Sequence, residues 1–162
     1  MFGKLGRPEE GIPYALADVE SAKRSQGPTS FQYANALYEL GRLYQYTKQH
    51  EEARHNIALA LELRKNQWPK GHVQIVVAQV VLAQLHYELG DDDQALTLID
   101  EIFEYVQDLR SARTYAAANS VRISIALKRN DESTAESLRQ STRQHMIDLG
   151  LTAEQIEQIL RN

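Results

Sequence analysis

Residues 40–44 read LGRLY, and after a short polar stretch residues 51–53 read EEA. Two further copies of this pair follow along the chain, LAQLH with DQA at 82–86 and 93–95, and ISIA with STA at 123–126 and 133–135. The alanines that end the three copies are spaced by 42 and then 40 residues: Ala53, Ala95 and Ala135. Self-similarity at a fixed period of this length indicates a repeat protein.

A fourth, partial copy lies at the front of the chain. Residues 6–11 read GRPEEG, 42 positions before KQHEEA at residues 48–53. The expected turn residues of all four copies keep the same period: Gly6, Lys48, Gly90 and Asn130. Four features in step predict a repeat array rather than a chance similarity.

Each unit reads as two helices. Between Ser30 and Tyr46, small and apolar residues recur at steps of three and four, and the same period returns after the polar turn at 47–50. In the second unit Gly90 predicts a helix stop, and the acids at 91–93 predict a cap for the next helix. The third unit predicts helices over about 112–128 and 132–148. Small residues are expected to let the paired helices approach closely: Gly41, Ala53, Ala60, Ala83 and Ala95.

Composition excludes several classes of function. The chain of 162 residues carries a net charge of −4 and contains no cysteine. A basic face for nucleic acid is not indicated, and disulfides or thiolate metal sites are excluded. The longest apolar stretch, residues 75–83, is too short to cross a bilayer. We therefore expect a cytoplasmic protein that neither binds nucleic acid nor inserts into a membrane.

The combined pattern resembles the tetratricopeptide repeat. The 42-residue period is similar to the kinesin-light-chain-like variety, and three segments outside the core pattern agree with that type: EEGIP at 9–13, QGP at 26–28 and WPKGH at 68–72. The resemblance covers about residues 4–148. It implies an all-α fold, a right-handed superhelical solenoid of α-α hairpins with about 3.5 repeats plus a C-terminal capping helix.

We expect one such domain over residues 1–162. Its expected parts are a partial repeat 1–28, repeats 29–71, 72–111 and 112–149, and a capping helix 151–161. The helix expected at 9–26 lacks its partner helix, so either the chain is a fragment of a longer protein or a second copy or another protein covers that end. At the tail, Gly150 and a capping box at 152–155 predict a short helix whose apolar residues close off the third repeat: Leu151, Ile156, Ile159 and Leu160.

The resemblance implies a concave groove lined by the first helix of each repeat, which binds a protein or peptide. Positions carried over through the motif are Asn35, Tyr38, Arg42, Gln45 and Tyr46 in repeat one, Val77, Val80, Val81, Gln84 and Tyr87 in repeat two, and Ala117, Ser120, Ser124 and Leu127 in repeat three. Tyr38, Arg42 and Tyr46 are the strongest candidates, because other residues of that helix supply the packing side. For Val77 and Val80 a core position is the alternative.

Other chemistries find little support. The positions of the chaperone-tail clamp of related repeats hold only one cation, Arg42. No zinc, phosphate-loop or nucleophile-elbow motif occurs, and His86 stands where the family has a buried aromatic residue. A cationic group (Arg110, Arg113, Arg122, Lys128 and Arg129) is expected to balance acids of the neighbouring helix, with a docking patch as the alternative.

We therefore expect a non-catalytic scaffold or adaptor module without cofactor or metal. Two alternatives stay open: a sensory or regulatory segment of a larger signalling protein, and a self-assembly unit that associates through its open N-terminal repeat.

Overall fold

A computed structural model describes residues 8–105 and 111–161, and the regular structure of these residues is helical throughout. The helices of the described part are α1 (Pro8–Gln26), α2 (Phe31–Tyr46), α3 (His50–Lys65), α4 (Val73–Glu88), α5 (Asp92–Tyr105), α6 (Ala112–Lys128), α7 (Glu132–Asp148) and α8 (Ala153–Leu160). The helices predicted over 112–128 and 132–148 have these bounds, and the helix predicted between Ser30 and Tyr46 is α2.

The helices form a stack of antiparallel hairpins. The pairs α2–α3, α4–α5 and α6–α7 each pack together, and α1 and α3 pack against the first helix of the following pair. The starts of α2 and α4 are 42 residues apart, and so are the starts of α3 and α5. By contrast, α6 begins 39 residues after α4. The architecture is an α-α hairpin repeat solenoid, which confirms the predicted fold class.

Local sequence sets where the helices begin. The Ser30 hydroxyl accepts a hydrogen bond from the Tyr33 amide at 3.1 Å and caps α2. At the tail, Thr152 and Gln155 form the predicted reciprocal capping box that starts α8. At α7, the side-chain and backbone hydrogen bonds from Thr134 lower the pKa of the capping Asp131. These bonds satisfy amide groups that have no partner inside a helix.

Small residues bring the hairpin backbones together, as expected. A Cβ atom added at Gly41 would lie 2.8 Å from the Ile57 side chain of α3 and 3.2 Å from the Ala53 carbonyl oxygen. The alanines at 53, 60, 83 and 95 are completely buried. A larger side chain at these positions would separate the paired helices.

The central helix α4 is apolar on nearly all sides. Ile75, Ala78 and Leu85 pack toward the first hairpin, while Val76 and Val80 pack toward α5 and α6. A helix that is apolar all round belongs in an interior. This position leaves α4 with little free surface.

Charged pairs join the second hairpin to the third. Arg122 binds Asp100, while Lys128 lies 2.8 Å from Asp92 and Arg129 lies 3.0 Å from Asp93. Three members of the predicted cationic group therefore balance acids of the preceding repeat. Arg113 is exposed elsewhere on α6, and Arg110 lies outside the described residues.

Apolar side chains are exposed at both ends of the helix stack. Tyr14 and Leu16 of α1 are 65% and 45% exposed. In α8 the tail prediction is only partly right: Ile156 is buried, but Leu160 is 40% exposed and Ile159 is half-buried. The helix α8 packs mainly on α6, and its last turn stays partly open to solvent instead of closing the third repeat. Among the described helices, none is long and apolar enough to span a membrane.

The three hairpin turns depend on a left-handed residue. Lys48, Gly90 and Asn130 have φ values of 60°, 88° and 58°, and they occupy equivalent positions. A side chain makes this conformation unfavourable, and glycine relieves the cost.

We predict that Lys48→Gly raises the free energy of unfolding by about 0.5–1 kcal/mol, because glycine adopts this φ without a Cβ conflict. Chemical denaturation followed by circular dichroism measures the change. The converse variant Gly90→Ala should lower stability by a similar amount. Loss of stability in Lys48→Gly would contradict the turn geometry.

Candidate binding groove

Two adjoining depressions lie on the face formed by the first helices of the hairpins. The first, which we call the α2–α4 cavity, has a volume of about 650 Å³ and is lined by Arg42, Gln45, Tyr46, Lys48, His50, Gln84 and Glu88. The second, the α6–α8 cavity, has a volume of about 320 Å³ and is lined by Gln84, Arg113, Ala116, Ala117, Ser120, Ile159 and Leu160. Gln84 belongs to both linings, so the two cavities adjoin at this side chain.

Arg42 and Tyr46 present an arginine–tyrosine pair in the α2–α4 cavity. They lie one helical turn apart, and the Arg42 guanidinium donates a hydrogen bond of 2.7 Å to the Tyr46 hydroxyl. Burial disfavours the charge of Arg42, but Tyr38 and Tyr46 together raise its pKa. Tyr46 remains 46% exposed. The pair therefore offers a fixed guanidinium and an exposed ring to a ligand.

The far side of this cavity carries a polar contact between repeats. His50 Nδ1 at the start of α3 lies 2.9 Å from Glu88 Oε2 at the end of α4. Both side chains are part-exposed, at 29% and 28%. The single carboxylate of the α2–α4 cavity is thus already in contact with a basic group.

Arg64 contacts both Tyr38 and Asn35, which were predicted as ligand contacts. The Arg64 guanidinium lies 4.3 Å from the centre of the Tyr38 ring and donates a 3.0 Å hydrogen bond to the Asn35 side chain. Arg64 also donates to the Gln74 carbonyl oxygen of α4 at 3.0 Å, and it is only 2% exposed. These contacts give Asn35 and Tyr38 a structural role at the junction of the first two hairpins.

Burial is the main cause of the pKa shifts in this cluster. It raises the pKa of Tyr38, and the charges of Arg42 and Arg64 offset part of that rise. It lowers the pKa of Arg64, and Tyr38 and Glu39 oppose that change. Tyr38 is therefore kept as a neutral hydroxyl between two cationic side chains.

The structure corrects the groove position given to Val80. Its side chain is 6% exposed and packs in the core with α5 and α6, so it is not available to a ligand. Val81 is 4% exposed because it packs in the core on the other side of α4, with residues of α3, and Val77 is half-buried. Of the remaining positions of α4, Gln84 is exposed and Tyr87 is half-buried, with Lys128 Nζ 5.8 Å from its ring centre.

In repeat three the structure separates the two predicted serines. Ser120 is exposed and lines the α6–α8 cavity together with Ala117. Ser124 is half-buried and lies outside both linings, whereas Leu127 is 37% exposed. The helices α2, α4 and α6 end two residues before the equivalent turn residues Lys48, Gly90 and Asn130. Ser124 is therefore the counterpart of Arg42 and Gln84, but it is less exposed than Gln84.

Several lining residues were missed by the sequence analysis. Glu88 follows Tyr46 by the repeat period of 42 residues, so the period itself could have identified it. Arg113 was noted only as part of a cationic group, and Leu160 only as part of a cap. In the described part of the chain, no group of three or more histidine, aspartate or glutamate side chains is placed to hold a metal ion.

Hairpins stacked in this way, with a groove along their first helices, define an α-α hairpin repeat protein. Residues 1–66 match the tetratricopeptide repeat family. The crystal structure of BtubC (BKLC) from P. vanneervenii has the same fold, with a TM-score of 0.77 and 14% sequence identity, over 93% of this chain and 61% of that chain. No curated protein shows significant sequence similarity.

The match over residues 1–66 supports the tetratricopeptide repeat family, as the sequence motifs predicted. Such repeats generally mediate interactions between proteins, and the family typically serves as non-catalytic scaffolding. The chain spans 61% of the length of the BtubC structure, so it corresponds to part of that protein.

We predict that Tyr38→Ala lowers the free energy of unfolding by about 2–4 kcal/mol, because it removes a packed ring and uncovers the buried Arg64 guanidinium. Thermal or chemical unfolding followed by circular dichroism measures the loss. Tyr46→Ala is the matched control and should change stability by less than about 0.5 kcal/mol. Equal effects of the two substitutions would contradict the different roles given to the two tyrosines.

Proposed function

We propose that this chain is a non-catalytic protein- or peptide-binding scaffold or adaptor that holds its partner in the groove formed by the α2–α4 and α6–α8 cavities. The observation that carries the proposal is that Gln84 lines both cavities. Together they join the first helices of all three hairpins, which suits an extended or helical peptide. Asn35 and Tyr38 support the groove from its edge.

Charge complementarity indicates the kind of partner. The groove lining holds the cations Arg42, Lys48 and Arg113 against one carboxylate, Glu88, although the chain as a whole has a net charge of −4. Glu39 lies one turn from Arg42 on α2 but outside the lining. We propose that the partner segment carries carboxylates, which would give the encounter its electrostatic preference.

The proposal extends to the setting of the protein. The partner is a protein rather than a nucleic acid, since the net acidic charge opposes binding to phosphates. Action in the cytoplasm is part of the same proposal, because a chain without cysteine gains no disulfide from an oxidising compartment.

A second candidate is self-association through α1. Leu16 on this helix is 45% exposed, and apolar surface at the end of a repeat stack favours contact with another stack. Light scattering over a range of concentrations tests this candidate. A Leu16→Glu variant that shifts an oligomer to monomer would support it, and a monomer at every concentration would exclude it.

The groove is tested with peptides selected from a random phage-displayed library on the wild-type chain. We predict that Arg42→Ala combined with Tyr46→Ala reduces their binding at least about tenfold, because it removes an anchoring pair of the interface. The half-exposed pair contributes little to folding, so stability should change by less than about 1 kcal/mol. Fluorescence anisotropy and thermal unfolding give the two readouts.

A core variant provides the inverse control. Leu40 is 3% exposed and packs with α1, so Leu40→Ala should cost about 2–5 kcal/mol of stability. At a temperature where it remains folded, it should bind the peptides as the wild type does. Selected peptides that bind the Arg42 and Tyr46 double variant unchanged would contradict the proposed groove.

A further inference from the structure

The last turn of α8 lines the α6–α8 cavity, which a terminal capping helix does not need to do. Leu160 is 40% exposed, and together with Ile159 it forms one wall of the α6–α8 cavity. The opposite side of the cavity is built by α6 and by Gln84 of α4. Two apolar side chains of the C-terminal helix therefore face the groove instead of the core of the third hairpin.

The wall is fixed in place by the rest of the helix. Ile156 is 5% exposed and anchors α8, and the Leu151 amide donates a 3.1 Å hydrogen bond to the Met146 carbonyl oxygen. Arg143 Nη1 of α7 lies 2.8 Å from Glu157 Oε1. These contacts hold one face of α8 and leave its last turn to define the shape of the cavity.

The chemistry of the lining selects an aliphatic side chain. Ala116 and Ala117 keep the α6 side of the cavity shallow, so their small methyl groups leave room opposite Ile159 and Leu160. Arg113 is the one charged residue in this lining. An aliphatic residue with a carboxylate close to it in the chain would satisfy both surfaces at once, because burial of apolar area and charge pairing act together.

We propose that α8 is a working part of the groove, and that the α6–α8 cavity is a subsite for an aliphatic side chain of the peptide bound in the α2–α4 cavity. This inference rests on the proposed peptide-binding function. The occupant follows from the position of Gln84 in both linings, from the apolar walls, and from the charge of Arg113. The C-terminal helix thereby adds a specificity determinant that the three hairpins alone do not supply.

The central test fills the cavity without deleting any native contact. Ala117 is exposed, and leucine is a good helix former, so Ala117→Leu should leave α6 intact while occupying the subsite. Peptides selected from the random phage-displayed library on the wild-type chain should bind this variant at least about tenfold more weakly. The matched control is Ala17→Leu, the same change at an exposed position of α1, which should bind as the wild type does.

A second variant tests the wall itself. Leu160→Ser removes one apolar side chain. It should weaken the binding of the same peptides about as much as replacing the aliphatic residue of each peptide by serine does. The two changes made together should cost less than the sum of the separate effects, because they remove one shared contact. Thermal unfolding shows whether the variant keeps α8 in place, and Ala117→Leu decides the question if it does not.

The outcomes separate this inference from the proposed function. Peptides that lose binding with Arg42→Ala and Tyr46→Ala, but bind Ala117→Leu and Leu160→Ser unchanged, would overturn the α8 subsite and leave the groove function standing. Selected peptides whose binding none of these substitutions weakens would overturn both the α8 subsite and the groove function. Weakening by Ala117→Leu, together with a recurrent aliphatic residue among the selected peptides, supports the subsite.

Discussion

The structure depends on the close approach of the two helices in each hairpin. At Gly41 the backbone of α2 comes so near to Ile57 that even a methyl group would meet it at 2.8 Å, and alanines repeat this contact along the stack. Interiors are packed densely, so a larger residue there would force the helices apart. Since the second helices take up one side of every first helix, the opposite side is displayed in register from one repeat to the next. The groove is a consequence of this packing.

The junction between the first two hairpins is built around one buried guanidinium. Arg64 lies on α3, yet it contacts Tyr38 and Asn35 of α2 and a backbone carbonyl of α4. A buried guanidinium needs such partners, because an unsatisfied charged group in an interior is costly. The same contacts tie the first halves of α2 and α4 to α3.

The sequence predicted the fold closely and the groove only in part. The repeat period and local capping signals are short-range, so they located α6 and α7 at their observed bounds. Val80 was misplaced because α4 is covered on two sides, which a single helical period does not reveal. Ser124 keeps the position of Gln84 in the repeat but is half-buried, and Leu160 is exposed because α8 packs mainly on α6, and the burial of neither follows from a local pattern. The role of Arg64 arises from three helices at once, and no local pattern carries it.

The central claim is that the packed hairpins leave the first helices free to hold a peptide. The most direct measurement is backbone amide NMR of the full chain, free and saturated with a peptide selected from the random library. We expect the largest shift changes to map to α2, α4 and α6, with Gln84 among the affected residues. Shift changes concentrated on α3, α5 and α7 would place the ligand on the second helices and contradict a groove along the first helices.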